Sequence, residues 1–563
     1  MMSVLLKIST IIRLLRWKRN GGRFNLDLAP PVKNPKFMSA RKAAALVPDG
    51  AVVMSTGMTG TMRPAILYRA VRTVFQETGH PRDLTWIAAG GAGGRGRVPG
   101  TVEEIALPGL LKHFVSGHLE TARAILEMAA NDQCEATVLP QGTIAHLADA
   151  QAKGEDSLLS KVGTGTFMDP RVGNGSCVET GKGTQYVSVE GEFLRFRMPT
   201  VTAACIIGVA ADKEGNIYQD GAPILAESRE AARAAKRNGG VVLATVARVV
   251  PHDEQRIFLR AEEVDAIVVN PENEVALSIP QRGAWPVLKP GAREDLKKAT
   301  LKVKELNALL KLDPSRSPVD QMLARQTASL FQRVASKGSQ CIIGYGLPQE
   351  AGRVIQRAGL GDDITFLLET GVYGGTPAPG IFFGMAFNPE KLMTSAEMFY
   401  HCEDNLDVTV LGLLEVDGAG NVNVSRKSPD VRKYIGPGGF QNLATSAKTI
   451  IFVGKFSARE RLSLADGKLT VEKTGTPKFV KELTEITFSA KEALDAGKKV
   501  YYVTPIGVFK LTEAGLELTG VAEGIDIQRD ILDNAEIEIR VPDGEIPRYD
   551  RAVMTGENFH LSW

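Results

Sequence analysis

The order of short patterns along this chain repeats once, and that repetition constrains the fold more tightly than any compositional fact. "DGAVVMSTGM" (49–58) followed by "RPAILYRAVR" (63–72) matches "KGSQCIIGYG" (337–346) followed by "PQEAGRVIQR" (348–357). Each pair reads as an apolar strand, a glycine turn and a helix. "DKEGNIY" (212–218) pairs with "DGAGNVN" (417–423), and "GGVVLATVARV" (239–249) with "AKTIIFVGKFS" (447–457). Patterns that recur in the same order over such distances imply two homologous halves, not a solenoid of short units.

One pair of matching stretches differs in a telling way. "DLTWIAAGGAGG" (83–94) and "DITFLLETGVYGG" (363–375) share Asp, an apolar run and glycines. Where the first has Ala89, the second has Glu369. A carboxylate at the last strand position, facing a turn whose glycines let another group approach closely, is a candidate for chemistry. Its absence from the other half predicts one catalytic acid.

The 563 residues suffice for two or more domains with large cores. From about Ser39 apolar strands alternate with helical stretches, which predicts an α/β class with mostly parallel sheet. "QYVSVEGEFLRFRM" (185–198) alternates about a Glu-Gly turn and predicts a β-hairpin inserted in the first half. The expected divisions are a basic extension (1–38), a first half (39–285), a connection with one helix (286–318), a second half (319–541) and a polar tail (542–563). A net charge of +2 leaves no nucleic-acid footprint. Five cysteines without close pairing fit a reducing compartment and neither a zinc ribbon nor a disulfide framework. Seven dispersed histidines, without His-x-x-x-His, add no metal pattern. The first 26 residues contain Lys and Arg but no acid before Asp27, and their charges break the apolar string too often for stable membrane insertion. They read as a disordered extension or as a start placed ahead of Met38, with a transit peptide or membrane-surface helix as the alternatives.

Several glycine motifs need weighing. "GAGGRG" (91–96) fits Gly-x-Gly-x-x-Gly after a strand, but Pro99 and Gly100 interrupt where a dinucleotide fold opens a helix. Arg95 and Arg97 beside exposed amides still suit an anion. "GSCVETGKG" (175–183) has the wrong spacing for a phosphate loop. In "IGPGGFQN" (435–442) the amides of Gly438 and Gly439 are candidate oxyanion donors, the alternative being a structural turn. In "LPQGTIAHL" (139–147) Gln141 stands at a strand-to-helix junction, where it is either a donor to a carbonyl or a helix cap.

Together with "ETGVYGGTPAPGIFFGMAFNPE" (369–390), "KVGTGTFMDPR" (161–171) and "DVTVLGLLEVDGAGNVNVS" (407–425), these blocks resemble the class I coenzyme A transferases in their fused single-chain form. The resemblance runs from about residue 39 to 530. It implies two homologous open α/β domains, with Glu369 as the nucleophile that forms an acyl-glutamyl anhydride and then a glutamyl-CoA thioester. For that chemistry the expected oxyanion donors are Gly438 and Gly439 assisted by Gln141, the acid pocket is expected at Val372 and Tyr373, just past the nucleophile, and a CoA contact at Lys455, near a strand end. Coenzyme A is then a co-substrate, with no permanently bound cofactor and no metal. The expected partners are acyl-CoA and short-chain carboxylic acids, with no nucleic acid. The resemblance also implies a homodimer or homotetramer, and a cytoplasmic location or, with a transit peptide, an organelle matrix. Two departures stand out. Ala92 replaces a glutamine common in the first glycine loop, and "FYHCEDNLD" (399–407) replaces a glycine-rich stretch. His401, Cys402 and Glu403 are accordingly read as a surface loop or as lining of the acid pocket. An acyl-CoA hydrolase or a non-catalytic ligand-binding relative are the competing functions.

Overall fold

The computed structural model describes residues 24–563 apart from Thr59, Arg97, 277–278, 282–284 and 311–315, with Val4, Ile8, Ile11, Ile12 and Leu15 nearer the start. Arg97 and most of the basic stretch before Phe24 lie outside the described residues.

In the first half, β1 (Val52–Ser55), β2 (Leu84–Ala88), β3 (Leu111–Ser116), β4 (Glu135–Val138), β5 (Ala203–Ile207), β6 (Val241–Val246) and β7 (Ala266–Val269) form one sheet. Its order is β7-β6-β5-β1-β2-β3-β4, and every pairing is parallel. Parallel strands are covered on both faces, so their sequences run apolar without alternation, as in the fully buried β5. The few polar groups inside are paired: Trp86 Nε1 and the Tyr68 hydroxyl both donate to Ser55 Oγ, at 2.8 and 3.1 Å.

The second half has β8 (Gln340–Ile343), β9 (Thr365–Leu368), β10 (Val372–Tyr373), β11 (Lys391–Leu392), β12 (Val408–Gly412), β13 (Thr449–Val453), β14 (Lys499–Val503), β15 (Gly507–Thr512) and β16 (Gly515–Val521). They are ordered β11-β10-β9-β8-β12-β13-β14-β15-β16. The parallel run β9-β8-β12-β13-β14 repeats β2-β1-β5-β6-β7 strand for strand. Antiparallel pairs close both edges of this second sheet. The duplication extends to loop chemistry. Asp212 Oδ1 accepts from the amides of Gly215 and Asn216, and Asp417 Oδ1 accepts from those of Ala419 and Asn421. Asn216 and Asn421 then accept from Ala261 and Ala490, tying each turn to the next crossover.

The helices that matter for the site start at the carboxyl ends of the strands. They are α1 (Gln141–Lys153), α2 (Ser228–Arg237), α3 (Pro318–Val334), α4 (Ser395–Asn405) and α5 (Phe440–Ser446). Gly154 in left-handed conformation ends α1, and Ser317 with Asp320 makes a capping box at the start of α3.

The hairpin is present as Val187–Glu190 against Phe193–Phe196, joined by a third strand, Leu158–Ser160. The connection contains its helix, Leu296–Leu310. Two segments are more integrated than their sequences indicate. Phe37 pairs with Ile267 and joins Leu26 in the first core. In the stretch read as a polar tail, Tyr549, Val553, Met554 and Leu561 are buried in the second core, and Arg325 of α3 donates to the carbonyls of Val553 and Met554.

Candidate active site

Glu369 follows β9 directly, at the carboxyl edge of the second sheet, where open α/β folds bind ligands. The turn behind it tolerates nothing larger than glycine. Gly371 has φ +96°, and a Cβ there would lie 1.9 Å from the Met393 carbonyl. The Thr370 hydroxyl donates to the Gly384 carbonyl at 2.6 Å and fixes the next residue. Glu369 is half-buried, deep in the protein but still open to solvent, and loss of hydration pushes its carboxyl up to about 7. Among the described residues it has no hydrogen-bonding or ion-pair partner. A desolvated, unpaired carboxylate on a rigid strand end is poised to react, not to brace the structure.

The surrounding wall comes from both halves. A Cβ at position 439 would stand 2.6 Å from Glu369 Oε1, so Gly439 and the carboxylate are in direct contact. Gly439 caps α5, and its amide finds no acceptor among the described residues. The Gly438 amide, by contrast, is spent: it donates to the Gly117 carbonyl at 2.7 Å, so of the two nominated glycines only Gly439 has a proton to offer. The Gly438 carbonyl accepts from the Gln141 amide at 2.8 Å, and the Gly142 amide donates to Asn442 Oδ1 at 3.0 Å. These bonds lock the start of α1, from the first half, against the start of α5, from the second. The Gln141 side chain, itself buried, has no partner among the described residues and lies under the first glycine loop, with Oε1 3.4 Å from a Cβ at Gly90.

The other nominated residues divide. Val372 is fully buried in a Met- and Phe-rich cluster with Met58, Phe382, Met385 and Phe387. Alternation along β10 sends Tyr373 to the other face, where its ring meets His401 edge-on at 5.7 Å and Lys391 Nζ at 4.4 Å. "FYHCEDN" is not a loop but the second half of α4, started by a Thr394–Glu397 capping box. Cys402 faces inward and its thiol is pushed up to about 12 by burial, with the charge of Glu369 adding to the rise. His401 Nε2 is 2.6 Å from Gln340 Oε1, Glu403 is exposed, and Tyr400 stacks on His146 of α1 at 3.7 Å. Lys455 is placed elsewhere. It pairs with Asp320 at 2.8 Å and lines a 550 Å³ cavity with Glu460, Arg461 and Glu472. That point is three strands along the sheet from Glu369, roughly 14 Å at sheet spacing.

Among the described residues of the first glycine loop, the groups that would face an anion already have partners. The amides of Gly94 and Gly96 both donate to the buried Glu103 carboxylate, and Arg95 faces Glu120 at 3.7 Å. Among the described residues one trio, Asp212, Glu214 and His252, has metal-like spacing. The Asp212 carboxylate already accepts from Gly215, Asn216 and Tyr218 and meets His252 Nδ1 at 2.9 Å, which accounts for the trio as loop structure. Sequence reasoning missed Met58, Gly90, Gly117 and Gly384 around the site; the glycines in the β1, β2 and 384 turns were the available signal.

A family model described as Coenzyme A transferase matches residues 37–270. The chain is 33% identical over 514 residues to a caffeate CoA-transferase of Acetobacterium woodii, covering 89% of this chain and 94% of that protein. It is 31% identical over 526 residues to the acetate CoA-transferase YdiF of Escherichia coli O157:H7, covering 90% and 94%. The crystal structure of the YdiF apoenzyme superposes with a TM-score of 0.81 at 28% identity, over 94% of this chain and 98% of that one. A second YdiF structure, a thioester complex with CoA, gives 0.80. The shared whole-chain architecture and these similarities make the chain a member of the coenzyme A transferase family, a CoA-transferase acting between acyl-CoA and carboxylic acids.

Proposed function

We propose that CoA moves through two covalent intermediates on Glu369. A Glu369 oxygen attacks the thioester carbonyl carbon, the C–S bond breaks, and a mixed acyl-glutamyl anhydride forms with CoA thiolate as leaving group. The thiolate then attacks the glutamyl carbonyl, leaving glutamyl-CoA and releasing the first acid as its carboxylate. A second carboxylate reverses both steps, which is ping-pong exchange. Each addition places negative charge on a carbonyl oxygen, and the free Gly439 backbone amide and the unpaired side-chain carboxamide of Gln141 are the donors we assign to it. Holding thioester and carboxylate together supplies the equivalent of ~10⁵–10⁸ M effective concentration.

The contact between Glu369 and Gly439 carries this reading, because it sets an unpaired nucleophile against an unpaired donor. The relative solved as a thioester complex with CoA supports the covalent route. Relatives named for acetate and caffeate bracket the acid, and we place this enzyme with short-chain acids, as a homo-oligomer that needs no metal. The test is intact-protein mass spectrometry after adding acetyl-CoA without acceptor, beside Glu369→Ala. A CoA-sized adduct on the parent alone, discharged by added acid, is the expected result. Accumulation of free CoA with no adduct points instead to hydrolysis, and an adduct on Glu369→Ala removes the nucleophile assignment.

A further inference from the structure

The reaction fixes where the carbonyl must sit but leaves open what the rest of the acid touches. Gly439 touches the Glu369 carboxylate, and Gln141 is tied to the neighbouring Gly438 through its backbone amide. Between Gln141 and Thr370, the residue after Glu369, stands Met58, which comes from the first half on the loop after β1 and belongs to an apolar cluster.

Three observations place that side chain. Met58 and Thr61 exchange both backbone hydrogen bonds, at 3.0 and 2.7 Å, and the Thr61 hydroxyl donates across the halves to the Phe383 carbonyl at 3.2 Å. Gly57, with φ +104°, lies so close to the Met62 carbonyl that a Cβ would stand 2.4 Å from it, so the loop has little freedom. The Met58 side chain then spans the cleft. Its Cγ is 3.4 Å from the Cβ position of Gly90, a point that is also 3.4 Å from Gln141 Oε1. Its Sδ is 3.6 Å from the Cβ position of Gly384, which lies 3.1 Å from Thr370 Cγ2. One thioether thus reaches from the proposed oxyanion donor to the residue after the nucleophile.

The glycines explain why this matters. A side chain at 90 or 384 would occupy ordinary contact distance to Met58, and both positions carry none. The space left at these two positions is bounded by the methionine together with Gln141 at one and Thr370 at the other. Behind Met58 stand Met62, Val372, Phe382 and Met385, all buried in the same cluster. Apolar parts of a ligand go to the apolar wall of a pocket.

We infer that Met58 is the residue that sets the length of acid accepted, its side chain closing the acyl end of the site against the Val372–Phe382–Met385 cluster. This rests on Glu369 being the nucleophile. Shortening Met58 opens the wall toward the cluster and admits longer chains, and a rigid aromatic ring closes it further. An unbranched thioether also re-packs around acids of neighbouring size better than a branched side chain does.

The experiment compares kcat/KM for acetate, butyrate and hexanoate as acceptors with one acyl-CoA donor, in wild type, Met58→Ala, Met58→Val and Met58→Phe. Each enzyme is first tested for CoA charging by mass spectrometry. Met58→Ala is expected to shift the hexanoate-to-acetate ratio upward by about tenfold or more, the usual value of a methylene in an apolar pocket. Met58→Val moves it the same way by less, and Met58→Phe moves it downward. Variants that charge normally but change all three acids in parallel overturn the assignment of Met58. A wild type that never charges overturns the nucleophile instead, so the two failures are separable. If Met58→Ala does not fold, the valine and phenylalanine variants carry the comparison in opposite directions.

Discussion

The two halves meet at two junctions built to one plan, and only one of them is open. At the first, the Gln141 amide of α1 donates to the carbonyl of Gly438, just before the Gly439 cap of α5. At the second, the Ser395 amide of α4 donates to the carbonyl of Ala226, just before the Glu227 cap of α2. Gly438 and Ala226 share the left-handed conformation, with φ 55° and 50°. The contents are exchanged. In the first junction the carboxylate comes from the strand end, Glu369, and the helix cap is glycine. In the second the matching strand end is Ala89 and the carboxylates come from the helix, as Glu227 and Glu230. Both of these are buried, and Glu230 Oε1 accepts from the Thr394 hydroxyl at 2.6 Å. The two junctions share one backbone plan; a glycine cap meets the carboxylate of one, and acidic side chains fill the other.

The comparison breaks most completely at the proposed nucleophile. Glu369→Gln keeps the shape and removes the charge, so exchange should fall roughly 10⁴–10⁶-fold, with no CoA adduct by mass spectrometry. Next is the cap. Gly439→Ala makes the open junction resemble the plugged one, because its Cβ would stand 2.6 Å from Glu369 Oε1 and must displace it. Moving a reacting group by about 1 Å costs ~10²-fold, and adduct formation should slow by that order while the fold is retained. Gln141→Ala removes one donor and should lower kcat by about 10²–10³-fold, with little change in charging stoichiometry. A variant that lowers only KM-related affinity would place Gln141 in ground-state binding instead.

How much of this was legible depends on the range of each contact. Glu369 and its turn are local, and the order of repeats gave both sheets because each strand–turn–helix unit carries its own pattern. The helix that carries His401, Cys402 and Glu403, expected as a surface loop or pocket lining, has a local signal too, the Thr394–Glu397 capping box at its start. Contacts between the halves left no trace in the string. Gly438 and Gly439 look alike in sequence, yet the Gly438 amide is consumed by Gly117, more than 300 positions away. Tyr373 shares a two-residue strand with Val372, and the pleat alone decides which of them faces Met58. Glu227 and Glu230 read as ordinary charges of an amphipathic helix until α4 covers them.

The raised carboxyl of Glu369 gives the open junction a pH signature. In the proposed mechanism only the ionised form attacks, and burial pushes the carboxyl up to about 7. The rate of CoA charging should climb tenfold per pH unit up to about 7 and level off above it. A profile flat from pH 5 to 8 would mean that the bound substrate or a cation restores an ordinary carboxylate.

The plugged junction has the opposite linkage, and its effect is on stability. Burial pushes Glu227 and Glu230 up to about 7, from 4.5 in the unfolded chain, with the charge of Glu230 adding to the rise at Glu227 and that of Glu397 to the rise at Glu230. Below pH 4.5 both states hold the protons and stability is unaffected by them. Between 4.5 and 7 the unfolded chain releases protons that the folded protein keeps, so stability falls as pH rises; above 7 the cost stays constant. It amounts to about 3 kcal/mol per group, with the two titrating as a pair. Glu230→Gln keeps an acceptor for Thr394 and removes the charge. The nearby Arg229–Glu397 pair, at 2.9 Å, acts on Glu230 in opposite senses, Arg229 favouring its ionised form and Glu397 opposing it. Thermal unfolding should then show a smaller drop in Tm between pH 5 and pH 8 for the variant than for wild type. Parallel Tm-versus-pH curves would mean that Glu230 is ionised in the folded protein at neutral pH, and the second junction would be a charged seam, not a neutral plug.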